Sequence, residues 1–323
     1  SGSPDGSVRL WPLVGDAPAP GRELALKVGS YVIGVAVSPD GRQILAGTGA
    51  GSQLLSVADE APRVLAGARY DVQGVAFSRD GQYAATIGRP ADSNVQRLVV
   101  WDAHTGEQVA ELEPPEKLVA RLQFLEGGDL LTAGQTALWL WRGFAGDCRK
   151  VYEGHPYLFS ATADGRRAMV LDSEDRDASG NVVLVNLESG DVLSTFLRDT
   201  HAVVALDPTG TVAAAGGTAD GVVRVGSAQG GEPHLMFGHE QAVIEVAFDP
   251  LGRWIASSGA DGTVRLWPMP NLSKPPLHTL PRQELIAKLK TLTNARVVRD
   301  EDSTTGWTLT HDPFPGWANP PTW

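Results

Sequence analysis

Apolar runs of β type alternate with tight, glycine-containing turns along most of the chain. Six of these turns hold a glycine between two apolar runs, at Gly41, Gly81, Gly128, Gly165, Gly210 and Gly252. Successive glycines lie 40, 47, 37, 45 and 42 residues apart. A repeat of that length is typical of four-stranded units that cannot bury their faces alone. The pattern predicts an all-β array of such units.

The first full repeat shows the internal order of one unit. Valines over residues 32–37 lead into the turn 38–41, where the proline fixes φ and the glycine accepts a positive φ. Residues 44–46 and 54–55 supply the second and third apolar runs. Inner strands covered on both faces read as nearly continuous Val, Ile, Leu and Ala, as these runs do. The units therefore pack side against side.

A partial unit comes before the six full ones. Residues 7–13 match residues 263–269 almost residue for residue and supply a third strand, and residues 23–26 can supply a fourth. Adding this unit to the six predicts a β-propeller of seven blades, each with four antiparallel strands. The predicted boundaries are 1–29 for the partial blade, 30–280 for the six fuller repeats, and 1–280 for the whole propeller.

The last 43 residues, 281–323, have a different character. Leucine and isoleucine at helical spacing predict one amphipathic helix over residues 281–293. Residues 295–299 and 306–310 predict a short hairpin around a polar turn. The end is rich in proline and tryptophan, and we expect Trp317 and Trp323 to pack on the propeller because large exposed aromatic side chains reduce solubility. Either this hairpin or an absent segment upstream of residue 1 is expected to complete the partial blade.

Four residues of the sixth unit carry a resemblance to a known family. His239 follows a glycine, and Ser257, Asp261 and Trp267 follow at the spacing of bacterial WD-repeat propellers, which this chain resembles over about residues 1–280. The resemblance implies that these four side chains form a hydrogen-bonded structural tetrad. The tail resembles those that follow WD repeats in large bacterial signalling proteins. Because the chain begins inside a repeat, we expect it to be part of such a protein.

Composition and charge exclude several classes of function. The 323 residues carry 38 acidic and 27 basic side chains, a net charge of −11, which disfavours binding to nucleic acid. No apolar run approaches the roughly 18–20 residues that span a bilayer, so no membrane partner is expected. Cys148 is the single cysteine, which fits a reducing, cytoplasmic compartment. No motif for a nucleophile, a metal or a cofactor accompanies it, so no cofactor is predicted.

One acidic stretch has part of the pattern of a calcium loop. Asp175, Asp177 and Ser179 alternate as oxygen ligands before a turn glycine. The two later ligand positions are Val183 and Asn186, which cannot supply the strong carboxylate that such a loop needs. A solvated hairpin tip is the favoured interpretation, and these three residues are only a weak metal candidate.

The favoured function is binding of a protein or peptide at one mouth of the central channel, without catalysis. A propeller holds loops from several blades rigidly around one opening. The partner could be an effector domain of the same polypeptide, which the propeller would scaffold, sense for or inhibit. Two alternatives stay open: a hydrolase or lyase with its active site in the channel, and a purely architectural section of a longer array. The residues expected to line the mouth precede each inner strand: Tyr31, Tyr70, Asp71, Lys117, Tyr157, Thr200 and Gln241.

Overall fold

A computed structural model describes most of the chain as antiparallel β-sheets. The described residues are 1–11, 13–14, 17–18, 22–24, 31–58, 63–65, 70–90, 93–117, 119–174, 179–292, 296–299 and 307–310. By backbone contacts they fall into two compact units, Ser1–Pro270 and Asn271–Trp323. The first unit is the propeller.

The first unit begins with two short two-stranded sheets. β1 (Val8–Leu10) pairs with β4 (Arg22–Leu24), and β2 (Leu13–Val14) pairs with β3 (Ala17–Pro18). Residues 1–3 run antiparallel to the chain leading into β1, with a β-bridge between Gly2 and Val8. We call residues 1–3, β1 and β4 the N-terminal sheet.

Five four-stranded blades follow, each with its strands in consecutive order. Blade 1 is β5 (Val32–Val37), β6 (Gln43–Thr48), β7 (Gly51–Ser56) and β8 (Arg63–Val64). Blade 2 is β9 (Tyr70–Phe77), β10 (Tyr83–Pro90), β11 (Arg97–Asp102) and β12 (Gln108–Leu112). Blade 3 is β13 (Val119–Phe124), β14 (Leu130–Gly134), β15 (Ala137–Trp141) and β16 (Cys148–Glu153), with a 3-10 turn at Glu126–Gly128. Blade 4 is β17 (Pro156–Ala161), β18 (Arg167–Asp172), β19 (Gly180–Asn186) and β20 (Val192–Thr200). Blade 5 is β21 (Ala202–Leu206), β22 (Val212–Gly217), β23 (Val223–Ser227) and β24 (His234–Met236).

Blade 6 has three strands, β25 (Val243–Phe248), β26 (Trp254–Gly259) and β27 (Val264–Pro268). The described residues contain no fourth strand for this blade, and the chain after β27 is irregular up to a 3-10 turn at Leu277–Thr279. That stretch holds Pro275 and Pro276, which have no N–H to donate to a sheet.

The predicted number of seven blades is wrong, because the described residues form six. The N-terminal sheet supplies strands of the third and fourth kind, as predicted, but the described residues give it no innermost strand. Two pairing strands and a three-residue bridge do not make a blade. The all-β propeller architecture is confirmed, with this correction.

The turns between first and second strands form as the sequence predicts. All six turn glycines have a positive φ, between 66° and 86°. Residues other than glycine rarely adopt this left-handed region, because their Cβ atom would come too close to the backbone. The glycine spacing therefore reports the repeat directly.

The hydrophobic core lies between the blades. Leu131 and Leu138 of blade 3, for example, share one buried cluster with Val170 and Val183 of blade 4. Side chains also tie one blade to the backbone of the next. The buried Gln96 of blade 2 accepts a hydrogen bond from the Val119 N–H of blade 3 at 2.5 Å and donates one to its carbonyl at 3.3 Å.

The second unit contains the predicted helix and hairpin. The helix α1 spans Arg282–Leu292, and β28 (Arg296–Arg299) pairs with β29 (Trp307–Thr310). Both predictions are confirmed. The predicted packing of Trp317 and Trp323 lies outside the described residues.

Candidate functional site

The inner strands surround a central channel that contains a cavity of about 490 Å³. Its lining mixes apolar with polar side chains, including Ile33, Gln73, Arg121, Ile244 and Glu245. Arg121 of blade 3 donates to a Glu245 carboxylate oxygen of blade 6 at 2.9 Å. Both side chains are 40–49 % exposed, so solvent screens this ion pair and its net contribution to stability is small.

The seven predicted mouth residues lie at or beside the start of an inner strand in all six blades. Tyr31 precedes β5 and is 51 % exposed. Lys117 and Gln241 are exposed just before β13 and β25. The others follow the same rule: Tyr70 and Asp71 begin β9, Tyr157 is the second residue of β17, and Thr200 ends β20 just before β21. Asp71, Tyr157 and Thr200 are half-buried, and the side chain of Tyr70 lies outside the described set.

Glu116 is a mouth-side residue that the sequence reasoning missed. Its carboxylate accepts hydrogen bonds from the Thr136 backbone N–H at 2.9 Å and from the Trp139 indole N–H at 2.8 Å. These contacts hold the loop that presents the neighbouring Lys117. No sequence signal could have found them, because the partners are 20 and 23 residues away in another strand pair.

In blade 6 the structure brings together His239, Ser257, Asp261 and Trp267. The Ser257 hydroxyl lies 2.7 Å from His239 Nε2 and accepts a hydrogen bond from the Trp267 indole N–H at 2.8 Å. His239 Nδ1 lies 3.0 Å from an Asp261 oxygen. A carboxylate can only accept, so Nδ1 donates to Asp261. The four side chains join a loop, a strand pair and a turn.

The Asp261 carboxylate is held ionised by its surroundings. The Thr263 hydroxyl donates to it at 2.7 Å, and the backbone N–H groups of Thr263 and Glu240 donate at 2.9 and 3.0 Å. The Thr263 hydroxyl is the main cause that lowers the pKa of Asp261, and the backbone N–H groups and His239 add to it. Together they outweigh the opposite effect of desolvation.

The tryptophan–hydroxyl half of this arrangement recurs elsewhere. Trp101 donates to the Thr86 hydroxyl at 3.2 Å in blade 2, and Trp141 donates to the Thr132 hydroxyl at 3.0 Å in blade 3. In the N-terminal sheet, Trp11 donates to the Ser1 hydroxyl at 2.9 Å.

The weak metal candidate is described only in part, and the environment of the lone thiol disfavours its reactive form. Asp175 and Asp177 lie outside the described residues, and Ser179 is exposed just before β19. Among the residues that the structure describes, no three His, Cys, Asp or Glu side chains are grouped as metal ligands. Burial and then the nearby Asp147 charge raise the pKa of the Cys148 thiol, which disfavours the thiolate.

Comparison with known families agrees with this geometry. The family model described as "WD domain, G-beta repeat" matches residues 231–268, which run from before β24 to the end of β27. A search of curated proteins found no match. The matched repeat and the sheet arrangement together support a WD-repeat β-propeller. Propellers of this type are typical scaffolds for protein interaction and are generally non-catalytic. Within the described part of the chain, no helix is both long and apolar enough to cross a membrane.

Proposed function

We propose that this propeller is a non-catalytic interaction module that binds a protein or peptide at the mouth formed by the starts of its inner strands. The observation that carries the proposal is the 51 % exposed Tyr31, which shares this end of the blades with the exposed Lys117 and Gln241. Tyrosine is enriched at the centres of binding surfaces because it buries a large apolar area and keeps a polar tip. The channel below can receive an inserted side chain.

The wider context of this proposal comes from the resemblance to bacterial WD-repeat signalling proteins. In that context the module would scaffold, sense for or restrain an effector domain, which could belong to the same polypeptide. The single cysteine fits a cytoplasmic setting. A rigid ring of blades suits such a role because the binding loops lose little conformational entropy when a partner docks.

The proposal is tested with three immobilised baits: the wild-type chain, the Tyr31→Ala/Tyr70→Ala double variant, and the control Leu251→Ala. Leu251 is 73 % exposed in the turn between the first two strands of blade 6, at the other end of the blades from the mouth. Proteins captured from native extract are compared quantitatively by mass spectrometry.

We expect a set of proteins that the wild type and Leu251→Ala capture equally and that the double variant loses at least tenfold. Circular dichroism must show the same fold in all three baits. Equal capture by the double variant would contradict the proposal and show that the binding surface lies away from the mouth. If all three baits instead catalysed a hydrolase or lyase reaction at equal rates, the enzyme alternative would be favoured.

A further inference from the structure

Arg265 of blade 6 is a half-buried arginine whose guanidinium group has a buried donor without an acceptor. The residue lies directly opposite Ser257 in the sheet, so it shares the face that carries the tetrad. Its Nε atom is buried and makes no hydrogen bond within the described residues. Removing a charged donor from water without giving it an acceptor costs free energy. The two terminal nitrogens are the donors left for an incoming acceptor.

The matching arginine of blade 5 is paired with an acid. Arg224 holds the same place in β23, and an aspartate precedes each of the two arginines by four residues. In blade 5, Arg224 donates to Asp220 through both of its terminal nitrogens. In blade 6, the matching Asp261 instead accepts hydrogen bonds from His239 and Thr263. The tetrad therefore engages the acid that would otherwise be placed to pair with the arginine.

The guanidinium group of Arg265 reaches the loop that joins blade 5 to blade 6. A Cβ atom built on Gly238 of this loop would lie 2.9 Å from Arg265 Nη1 and 2.8 Å from Trp267 Cη2. The preceding residue of the loop, Phe237, is an aromatic residue that is 70 % exposed. An arginine, a tryptophan and an exposed phenylalanine therefore border one glycine. We call Phe237, Gly238, Arg265 and Trp267 the rim patch.

The composition of the rim patch is that of the centre of a protein interface. Aromatic side chains and arginine are enriched at such centres, whereas lysine and glutamate are depleted. Trp267 is half-buried and is fixed by its bond to the Ser257 hydroxyl. Arg265 is half-buried as well, so both side chains lose little conformational entropy when a partner docks. The patch lies on the face of the sheet opposite to that of Ala256 and Leu266.

We propose that the rim patch binds a segment of a partner protein in which an aspartate or glutamate stands next to a large apolar side chain. The carboxylate accepts hydrogen bonds from the terminal nitrogens of Arg265, which gives the guanidinium group its acceptor. The apolar side chain packs on Phe237 and removes part of its surface from water. Charge complementarity selects the occupant, because the cation of Arg265 attracts a carboxylate and repels a lysine or an arginine.

The probes are random peptides of about twelve residues displayed on phage, selected in parallel on the wild-type chain and on single variants. Two variants alter the rim patch, Arg265→Gln and Phe237→Ala. Two matched controls, Arg166→Gln and Leu251→Ala, remove side chains that are 83 % and 73 % exposed in turns at the other end of the blades. We expect the wild type and both controls to enrich the same peptides, each with an acidic residue beside a large apolar one. Both patch variants should enrich them at least tenfold less.

The most enriched peptide is then synthesised with its acidic residue intact and with that residue changed to the amide. Fluorescence polarisation measures the affinity of both peptides for the full chain. The wild type should bind the amide peptide at least tenfold more weakly. Arg265→Gln should bind the two peptides equally, because the ion pair is already broken. Equal binding of the two peptides to the wild type, enrichment that Arg265→Gln does not reduce, or no enrichment above the bare support would overturn the proposal.

Thermal unfolding separates binding from a structural role of the arginine. Arg265→Gln should melt at or above the temperature of the control Arg166→Gln, because the buried Nε has no acceptor to lose. A lower melting temperature than that of the control would overturn the proposal, since Arg265 would then stabilise the fold. The Tyr31→Ala/Tyr70→Ala variant should bind the selected peptide like the wild type. Failure at the rim patch therefore leaves the mouth proposal standing, and the two tests use different residues.

Discussion

At the scale of single residues, the Ser257 hydroxyl lies at the centre of two side-chain hydrogen bonds in blade 6. It is 2 % exposed and serves both the imidazole of His239 and the indole of Trp267. Networks of this kind are sensitive because losing one member leaves the other buried polar groups without partners. The network also ties the loop that holds His239 to the paired strands β26 and β27.

Replacing Ser257 by alanine should lower the free energy of unfolding by about 1–3 kcal/mol, because two buried polar groups lose a partner. Urea unfolding followed by tryptophan fluorescence measures this value. Ser227→Ala is the matched control, since Ser227 lies exposed at the end of β23, and it should change stability by less than about 0.5 kcal/mol. Equal effects of the two substitutions would show that the network does not contribute.

The second prediction at this scale concerns how the contribution of Asp261 to stability depends on pH. Its pKa is lowered in the folded state, so its contribution to stability is present above the unfolded value of about 3.9 and is lost as pH falls through the folded value. Asp261→Asn should therefore be less stable than the wild type at pH 7. The difference should shrink as pH falls below about 4, measured as thermal midpoints across pH. A difference that stays constant would contradict the pKa direction.

The sequence could predict the blade 6 tetrad because its members lie within one repeat at regular offsets. Glu116 and Gln96 could not be predicted in the same way. The partners of Glu116 lie at another hairpin of the same blade, and the partner of Gln96 lies in the next blade, so these contacts form only when the strands and sheets assemble. Polar residues of this type carry no periodicity of their own.

At the scale of elements, each blade is held to the next by apolar packing and by a few side-chain bonds to backbone. Gln96 links blade 2 to the first residue of β13. Gln123 of blade 3 does the same for blade 4, since it accepts from the Ala161 N–H at 2.9 Å and donates to its carbonyl at 2.8 Å. These amides add hydrogen bonds between neighbouring blades.

Gln96→Ala should destabilise the propeller by about 1–3 kcal/mol, since the buried N–H and C=O of Val119 would lose their partner. Chemical denaturation gives the value. The control is Gln108→Ala, which removes the same side chain from an exposed position of β12 and should be nearly neutral. If the two variants were equally stable, the link between blades 2 and 3 would rest on apolar packing alone.

The positions of most strands could be predicted from the sequence, because the turns and apolar runs that define a strand are local features of the chain. The turn glycines mark the hairpins with a positive φ in every full repeat. The sequence pattern did not reveal that the described part of blade 6 lacks a fourth strand, because an outer strand depends on weak pairing at the edge of a sheet. Pro275 and Pro276 have no N–H to donate to a neighbouring strand, which disfavours an outer strand there. The length of the repeat alone does not reveal this.

At the scale of the whole propeller, the number of blades depends on how the ring of sheets closes and cannot be obtained by counting sequence repeats. Counting repeats gave seven because residues 7–13 copy residues 263–269 so closely. The copy is real, yet it supplies only the outer part of a sheet, which packs on blade 1. Among the described residues, one face of blade 6 has no neighbouring sheet, and the apolar side chains on it are partly exposed.

This asymmetry predicts that protection of the backbone is uneven around the ring. β26 and β22 hold the same place in their blades, and each is paired on both sides. Only β22 is also covered on both faces, so its amides should exchange hydrogen at least tenfold more slowly, a difference of about 1.4 kcal/mol in opening free energy. Hydrogen–deuterium exchange with mass spectrometry compares the two strands within one sample. Equal protection of the two strands would mean that blade 6 already has a neighbour in solution.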